Sequence, residues 1–489
     1  MPEPIALPIA NGYYMSDSPV ISAQQCINWY PNIVSIPALS QETLFGTAGA
    51  ILRTTTGILN QQNRGALSMR GIAYFVNGDA LYRLNRVVNI GLPDTFTTTS
   101  LGAIEGTGRV SMATNGTQLF IMVPGGKGSI WVEGTTTFTP DINAVDSDFT
   151  ANGNPQYVVF VDGYFLLTTD TRKFIISALN DGLAYNALDF GTAEADPDDI
   201  VAPIVYKNQV FIMGTDGAEV FQNQPAGAGF PFQRIEGFIL DKGLSSPFSL
   251  ILGDNTFRYV GSGKNEAPSI YELQGNKVVK ISNTAIDSVL QDLTDTEVSN
   301  IFAGHYGFNG QYFTHFTLPG EVFEYNSISQ RWHQRRSSIG GALDAWRASS
   351  LVTAYGKLWI GDRIDGRIGE LNEDTYTEYG DTIYRQVDTM PFAANGNSFS
   401  VSSMELTVES GVGDFTTTNP LMRMSRSIDS KTITDELTKS MGKIGEYSKR
   451  LIWKRLGRAK RFEMFRFIMT DPVKPVIIKL QARIRAGTR

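Results

Sequence analysis

The segment Asn115-Gly116-Thr117-Gln118-Leu119-Phe120-Ile121 joins a turn residue to a short run of large apolar side chains. The same arrangement recurs along the middle of the chain. Its turn residues are Gly71, Gly116, Gly163, Asn208, Asn255, Gly310 and Gly356. Successive copies lie 45, 47, 45, 47, 55 and 46 residues apart. An internal repeat of this length with strand-like content is typical of the blades of a β-propeller.

Each copy predicts a β-hairpin. The pairs Asp162-Gly163 and Asn309-Gly310 favour tight turns, as does Asn115-Gly116, because both residues of such a pair tolerate positive φ. Isolated hairpins are marginally stable and leave open sheet edges, so closure of several sheets into a ring is favoured. The sequence therefore predicts an all-β propeller of about seven blades, with six or eight as alternatives and a linear β-solenoid as the competing geometry.

The repeats occupy residues 61–385, and the regions on either side differ from them. Residues 1–60 lack the repeat and predict an amino-terminal arm, in which Trp29 and Tyr30 are a dense apolar anchor expected to be buried against another domain. Residues 386–489 contain several strand-like alternations of apolar and polar residues. They predict a separate C-terminal β-sandwich-like domain.

The one long interval, of 55 residues, has a local explanation. Ile286, Val289, Leu290 and Leu293 follow helical spacing, and Thr294 with Glu297 has the pattern of a capping box. The sequence therefore predicts a helical insert at about 284–302, which we expect to serve as an outer arm or an interface.

Composition places the chain among ordinary globular proteins. It has 489 residues, of which 42% are hydrophobic and 19% charged. The one cysteine, Cys26, excludes an internal disulfide framework and is expected to be a small buried hydrophobe. No window approaches the ~20 apolar residues that cross a bilayer, so we expect no membrane insertion.

Charge is distributed unevenly. Residues 449–489 contain thirteen Lys or Arg and two acids, a local charge of +11. Because the whole chain carries -7, residues 1–448 carry -18. An acidic body with a basic end suggests that the two regions meet different partners.

No motif predicts catalysis, a cofactor or a metal. His305 and His315 could be cross-strand neighbours, yet neither they nor His333 has an acidic residue placed to complete a ligand set. Gly261-Ser262-Gly263-Lys264 lacks both ends of a phosphate loop. The acidic run Glu194, Asp196, Asp198 and Asp199 lacks the spacing of a calcium loop and favours a solvated connection.

The terminal basic segment has a recognisable motif. Residues Lys449-Arg450-Leu451-Ile452-Trp453-Lys454-Arg455-Leu456-Gly457-Arg458, followed by Ala459, Lys460 and Arg461, resemble the closing motif of the packaged-DNA stabilisation proteins, also called tail hub or nozzle proteins, of short-tailed bacteriophages. Shorter stretches look similar to the same family in the same order. They are Cys26–Pro31, Gly108–Ala113, the insert at 284–302 and Met404–Ser410.

The resemblance implies a structural virion protein that is assembled in the host cytoplasm. Such proteins form a six-fold ring below the portal and the head-to-tail adaptor and extend the channel for double-stranded DNA. They retain the packaged genome until a tail needle or plug is released, and tail fibres or spikes are further partners. The propeller would be the body of each subunit, and the terminal regions the platform that meets the adaptor.

A partner interface is expected at the basic end. Its candidate residues are Lys449, Arg450, Trp453, Lys454, Arg455, Arg458, Lys460 and Arg461, together with Trp29 and Tyr30. Acidic walls would keep DNA from adhering to the channel, and the basic segment would bind acidic neighbours. Non-specific contact between these cations and DNA is the alternative.

Two other functions fit a propeller. The first is a glycan-binding or capsule-degrading tail enzyme, which would need paired carboxylates or an arginine cluster at the axial mouth. The second is a non-viral propeller that binds protein partners and remains a monomer.

Overall fold

The computed structural model describes residues 3–36, 38–194, 199–224, 229–394 and 397–487. The predicted fold class is confirmed, since these residues form a β-propeller followed by a β-sandwich, with two short helices. None of the described helices is long and apolar enough to cross a membrane. Asp196 and Asp198 of the acidic run lie outside the described residues.

Seven short strands precede the first blade. They are β1 (Ile5–Leu7), β2 (Tyr14–Met15), β3 (Ala23–Gln24), β4 (Cys26–Ile27), β5 (Trp29–Ile33), β6 (Glu42–Gly46) and β7 (Gly49–Thr55).

Blades 1 to 4 are consecutive four-stranded antiparallel sheets. Blade 1 contains β8 (Asn63–Met69), β9 (Ile72–Asn77), β10 (Ala80–Val87) and β11 (Thr95–Ala103), and blade 2 contains β12 (Ser111–Thr114), β13 (Gln118–Val123), β14 (Lys127–Val132) and β15 (Thr137–Thr139). Blade 3 contains β16 (Pro155–Val161), β17 (Tyr164–Thr169), β18 (Lys173–Ala178) and β19 (Asp181–Thr192). Blade 4 contains β20 (Ile200–Tyr206), β21 (Gln209–Gly214), β22 (Ala218–Asn223) and β23 (Phe232–Leu240).

Blades 5 to 7 carry the irregular features of the ring. Blade 5 contains β24 (Gly243–Leu244), β25 (Ile251–Gly253), β26 (Thr256–Ser262), β27 (Ser269–Gln274) and β28 (Lys277–Lys280), and is followed by α1 (Thr284–Gln291) and α2 (Asp295–Ser299). Blade 6 contains β29 (Phe302–Phe308), β30 (Gln311–Leu318), β31 (Glu321–Asn326) and β32 (Arg331–Gln334), and is followed by the hairpin β33 (Arg336–Ile339) and β34 (Ala342–Ala345). Blade 7 contains β35 (Ala348–Ala354), β36 (Lys357–Asp362) and β37 (Arg367–Asn372), with β38 (Thr377–Glu378) and β39 (Asp381–Thr382) beside it.

The repeated turn residues all lie between the first two long strands of a blade, so the seven copies correspond to seven blades. At six of the seven turns both central residues have positive φ, as at Asn309 (49°) and Gly310 (69°). The exception is Asn115-Gly116, where only the glycine has positive φ. There the side chain of Asn115 accepts hydrogen bonds from the amides of Thr117 and Gln118, which stabilises a wider loop instead.

The amino-terminal segment closes the ring. Strand β7 pairs antiparallel with β37 and is therefore the fourth strand of blade 7, before the chain enters blade 1. The first strands of neighbouring blades contact one another, and β35 contacts β8 at the closure. Gly49–Thr55, which precede the repeats in the chain, thus belong to the last blade. The repeat period does not predict this pairing, because β7 and β37 lie at opposite ends of the repeated region.

Two helices, α1 and α2, lie in the segment between blades 5 and 6. Thr294 and Glu297 form a full capping box at the start of α2. Ile286 and Leu290 of α1 are buried in a cluster with Phe316 and Trp332 of blade 6. The insert therefore packs its apolar stripe on the outside of the ring.

The C-terminal domain completes the chain. Its strands are β40 (Arg385–Asp388), β41 (Phe392–Ala393), β42 (Phe399–Val408), β43 (Leu421–Ser427), β44 (Leu437–Ser440), β45 (Leu451–Lys454), β46 (Arg458–Ala459), β47 (Phe462–Met469) and β48 (Val476–Ala486).

Two sheets build this domain. One contains β45, β42, β48, β6 and β5, with β1 and β46 at its side. The other continues from blade 6 through β4 and β40 into β47, β43 and β44. A single ten-stranded sheet thus runs through propeller and sandwich, and the amino-terminal strands supply part of both domains. The connection between the domains is therefore a continuous hydrogen-bonded ladder.

Candidate partner interface

The basic segment lies at an edge of the sandwich. Strands β45 and β46 both pair with β42, on the open side of the seven-stranded sheet. The turn between them places Arg455 (φ 59°) and Gly457 (φ 93°) in the left-handed region. The φ of Gly457 favours glycine, and a Cβ there would also lie 2.6 Å from the guanidinium of Arg426.

Trp453 points away from the surface. Its side chain is fully buried in the sandwich core, its indole N–H donates to the carbonyl of Leu437 over 2.9 Å, and its ring packs against Phe467. This residue therefore anchors β45 and has no surface left for a partner. The sequence motif combined two opposite faces of one strand.

The seven basic candidates of the segment are exposed. They are Lys449, Arg450, Lys454, Arg455, Arg458, Lys460 and Arg461. Arg450 donates two hydrogen bonds to Glu405, at 2.7 and 2.6 Å, and Lys449 lies 3.3 Å from Glu446. The hydrogen bond from Arg450, and then the charges of Lys479 and Arg483, lower the pKa of Glu405. Glu405 is thus an isolated acid in a positive environment.

Strand β48 adds cations that the motif did not reveal. Ser403 of β42 pairs with Lys454 on one side and Arg483 on the other. Ser400 likewise pairs with both Arg458 and Arg485. Because directly opposed residues share a face, these side chains form rows across the sheet.

We call this surface the basic face and define it by Lys454, Arg458, Lys479, Arg483 and Arg485. Lys479 belongs to it through its pairing with Thr407 of β42. The sequence contains a signal for this face, because Lys479, Arg483 and Arg485 all occupy odd-numbered positions of β48 and therefore lie on one side of the strand. Arg455, Lys460 and Arg461 lie on the connections at the rim of the same surface.

Trp29 and Tyr30 are inside the chain. Trp29 is 1% exposed and belongs to the sandwich core, whereas Tyr30 packs with Phe313 and Trp346 of the propeller side. They fill the seam between the domains, as the burial prediction stated. Their inclusion in a partner interface does not agree with this burial, because an interior residue cannot touch another protein directly.

The axial mouth of the ring contains Arg109. Its guanidinium donates to the hydroxyl and carbonyl oxygens of Ser349, at 2.9 and 3.1 Å, and lies 3.9 Å from the ring centre of Phe302. Ser349 belongs to blade 7 and Phe302 to blade 6, whereas Arg109 lies just before the first strand of blade 2. The adjoining cavity, of about 480 Å³, has no Asp, Glu or His among its described lining residues.

The histidines have structural surroundings. His315 pairs with Gly304 and His305 with Thr314, so the two imidazoles lie on opposite faces of the sheet and are not neighbours. Burial lowers the pKa of His315 to about 4. No group of three possible metal ligands occurs among the residues that the structure describes.

His333 belongs to a buried polar cluster in blade 6. Its Nε2 lies 2.8 Å from Glu324, which also accepts a hydrogen bond from the hydroxyl of Tyr306. Burial opposes ionisation of Glu324, but the charge of Arg335 and the hydrogen bond from His333 outweigh it and hold the pKa at about 2. These contacts join three side chains of blade 6 to one buried carboxylate, so we expect the cluster to stabilise the blade.

The remaining motifs also have structural settings. Cys26 is a free, buried thiol. Lys264 is exposed in the loop after β26, next to the Lys242–Glu266 pair, and Asp199 lies 3.9 Å from Arg172.

Comparison with known proteins covers both domains. Residues 5–376 match the family model described as the β-propeller of bacteriophage P22 Gp10, and residues 384–485 match that of its β-sandwich. The chain is 23% identical over 453 residues to the tail hub protein gp10 of Salmonella phage P22, covering 90% of this chain and 92% of that protein.

Solved structures show a more distant likeness. The WD40 propeller domain of Doa1 is 12% identical, with a TM-score of 0.38, over 67% of this chain and 97% of that chain. The N-terminal domain of Nup159 is 9% identical, with a TM-score of 0.41, over 72% and 99%.

Proposed function

The chain belongs to the bacteriophage P22 Gp10 family, and from this premise we propose that it is a tail hub subunit that forms a six-fold ring below the portal and the head-to-tail adaptor. Family membership makes it a structural component of a phage tail and of the virion. In the proposal the ring extends the DNA channel, retains the packaged genome, and is assembled in the host cytoplasm. The observation that carries it is the match to a tail hub protein over both domains.

The DNA channel would lie between subunits. Arg109 joins the innermost strands of blades 2, 6 and 7, so its side chain fills the axial region of one propeller. A passage for a duplex therefore has to be built by several copies around a common axis. The charge of -18 over residues 1–448 supports acidic walls, which repel DNA and prevent adhesion.

The basic face would bind an acidic neighbour, for which the head-to-tail adaptor is our candidate. Five cations on a flat sheet surface, with Glu405 as a nearby acid already held by Arg450, offer a complement to a carboxylate-rich surface. Arg455, Lys460 and Arg461 would extend the contact at the rim. A tail needle or plug and fibres or spikes would contact other parts of the ring.

The enzymatic alternative has less support. Cleavage of a glycosidic bond needs two suitably spaced carboxylates in a substrate cleft. The described lining of the axial cavity contains none, and Arg109 is held there by Ser349 and Phe302. A structural, non-enzymatic role is therefore our proposal.

Attachment to filled heads tests the proposal. We expect the double variant Arg455→Glu with Arg458→Glu to bind filled, adaptor-bearing heads at least tenfold more weakly while its circular dichroism spectrum and melting temperature stay unchanged. The control is Lys264→Glu with Lys277→Glu, two exposed lysines on blade 5. Equal attachment of both variants would contradict the assignment of the interface.

A further inference from the structure

Arg385 is a buried cation without a partner. The side chain is fully buried, and its Nε, Nη1 and Nη2 have no hydrogen-bond acceptor among the described residues. No carboxylate of the described chain forms an ion pair with it, in contrast to the buried Arg347, which pairs with Asp362. A buried guanidinium in this state is strongly unfavourable, because its interaction with water is lost and nothing replaces it.

A second orphaned donor lies in the same region. The indole N–H of Trp29 is also buried, and none of the residues that the structure describes accepts a hydrogen bond from it. Trp29 pairs directly with Gly46 across β5 and β6, and a Cβ on Gly46 would lie 2.9 Å from Nε of Arg385 and would collide with Pro475. Gly46 thus leaves room for the guanidinium next to the indole.

These groups cannot satisfy one another. Arg and Trp side chains are donors only, so two of them together need an acceptor from elsewhere. Burial, and next the charge of Arg335, lower the pKa of Arg385 to about 9, while Tyr376 opposes the shift. The guanidinium consequently stays positive at neutral pH, and the missing acceptor has to compensate a charge as well as accept hydrogen bonds.

A cavity lies beside this position. It has a volume of about 380 Å³, is situated in the seam between the domains, and has Gly46, Tyr376 and Pro475 among its lining residues. Two of these residues are also near Arg385, since a Cβ on Gly46 would lie 2.9 Å from its Nε and Tyr376 interacts with its charge. An ion would enter the site from this cavity.

We propose that Arg385 and Trp29 bind a small monovalent anion, of the size of chloride, at the seam between propeller and sandwich. Such an ion accepts several N–H groups at once and balances a single positive charge. Its weak hydration suits a site between Pro475 and the sandwich core better than a doubly charged phosphate would. Because β40 links blade 6 to the sandwich, the bound ion would fix the two domains to each other.

Thermal unfolding in chloride tests this site. The melting temperature is measured from 1 to 300 mM chloride, with gluconate keeping the ionic strength constant. We expect the wild-type value to rise by about 1–2 °C for each tenfold increase of chloride above the dissociation constant, since a ligand bound only by the folded state stabilises it. Arg385→Met should remove this dependence.

Arg450→Met, an exposed arginine, is the control and should keep the wild-type response. In gluconate alone Arg385→Met should melt no lower than the wild type, because it removes an uncompensated charge. A wild-type protein indifferent to chloride, or an Arg385→Met variant with the same response as wild type, would overturn the proposal in favour of ordered water.

The wild-type protein provides a second measurement, which does not depend on the folding of the variant. The ³⁵Cl resonance should broaden on addition of the protein and narrow again when bromide competes. Trp29→Phe should weaken the broadening by removing one donor. Absence of broadening would also overturn the site.

Discussion

Ala50 of β7 pairs with Leu371 of β37, and both side chains are buried at the place where the two ends of the propeller meet. The ring is therefore closed by hydrogen bonds and apolar contacts between segments far apart in the chain. Any defect in this pairing opens the β37 edge of blade 7 and removes the contact between β7 and β11, the last strand of blade 1.

Ala50→Asp should destabilise the ring strongly. It places an unpaired carboxylate in an apolar cluster, so we expect the free energy of unfolding in urea to fall by about 3–5 kcal/mol. Leu52→Asp on the same strand is the matched control, because Leu52 is 45% exposed, and its effect should stay within about 0.5 kcal/mol. Similar losses in the two variants would show that β7 is not closing the ring.

Trp453 should matter for stability and Lys454 for binding, although the two are adjacent. Trp453→Ala removes a core side chain and should lower the free energy of unfolding by about 3–5 kcal/mol. Lys454→Ala should leave stability unchanged and weaken attachment to filled heads. Chemical denaturation and a sedimentation assay of attachment separate the two effects, and a stable Trp453→Ala variant would contradict the assigned role.

Glu324→Gln should weaken blade 6. The carboxylate holds His333 and Tyr306 and lies close to Arg335, so its neutralisation leaves a buried cation uncompensated and should cost about 3–5 kcal/mol. Because its folded-state pKa, about 2, lies below the ordinary 4.5, the carboxylate stabilises the fold above pH 4.5 and this contribution is lost between pH 4.5 and 2.

As the pH falls from 4.5 to 2, the free energy of unfolding should therefore decrease more for wild type than for Glu324→Gln. Glu321→Gln, which breaks a partly exposed pair with Arg336, should change stability by no more than about 1 kcal/mol. A pH profile of Glu324→Gln that follows the wild type would be inconsistent with an ionised Glu324.

Glu463 should give the opposite pH dependence. Burial raises its pKa to about 7, although Arg426 lies 2.9 Å away. The folded state then binds the proton more tightly than the unfolded chain, so stability from this group is present below pH 4.5 and is lost as the pH rises to about 7. Glu463→Gln should remove that slope and be more stable than wild type at pH 8 by about 3 kcal/mol. Equal slopes from pH 4.5 to 7 would contradict the raised pKa.

The sequence predicted the repeated parts of this fold better than the unique ones. Turns such as Asn309-Gly310 fix a hairpin locally, and the capping box of Thr294 and Glu297 fixes a helix start, so both could be predicted from a few neighbouring residues. The pairing of Ala50 with Leu371 and the ten-stranded sheet depend on contacts between distant segments, for which one sequence has no local signal.

The same distinction applies to the candidate interface. The cluster of charges after residue 449 was visible, and the structure exposes all seven basic residues of the motif. The contribution of Arg483 and Arg485 was missed because it arises from the register of β48 on β42. Trp453 was grouped with the cations because it lies among them in the sequence, and Trp29 because it belongs to the family-like segment Cys26–Pro31, whereas the structure places both indoles in the core.

Electron microscopy of the purified protein bound to its adaptor tests the central claim most directly. We expect rings with six-fold symmetry, in which each subunit is a disc with a closed central axis and a common channel lies between the subunits. Isolated single discs on the adaptor, or a ring in which DNA density passes through the axis of one propeller, would contradict it.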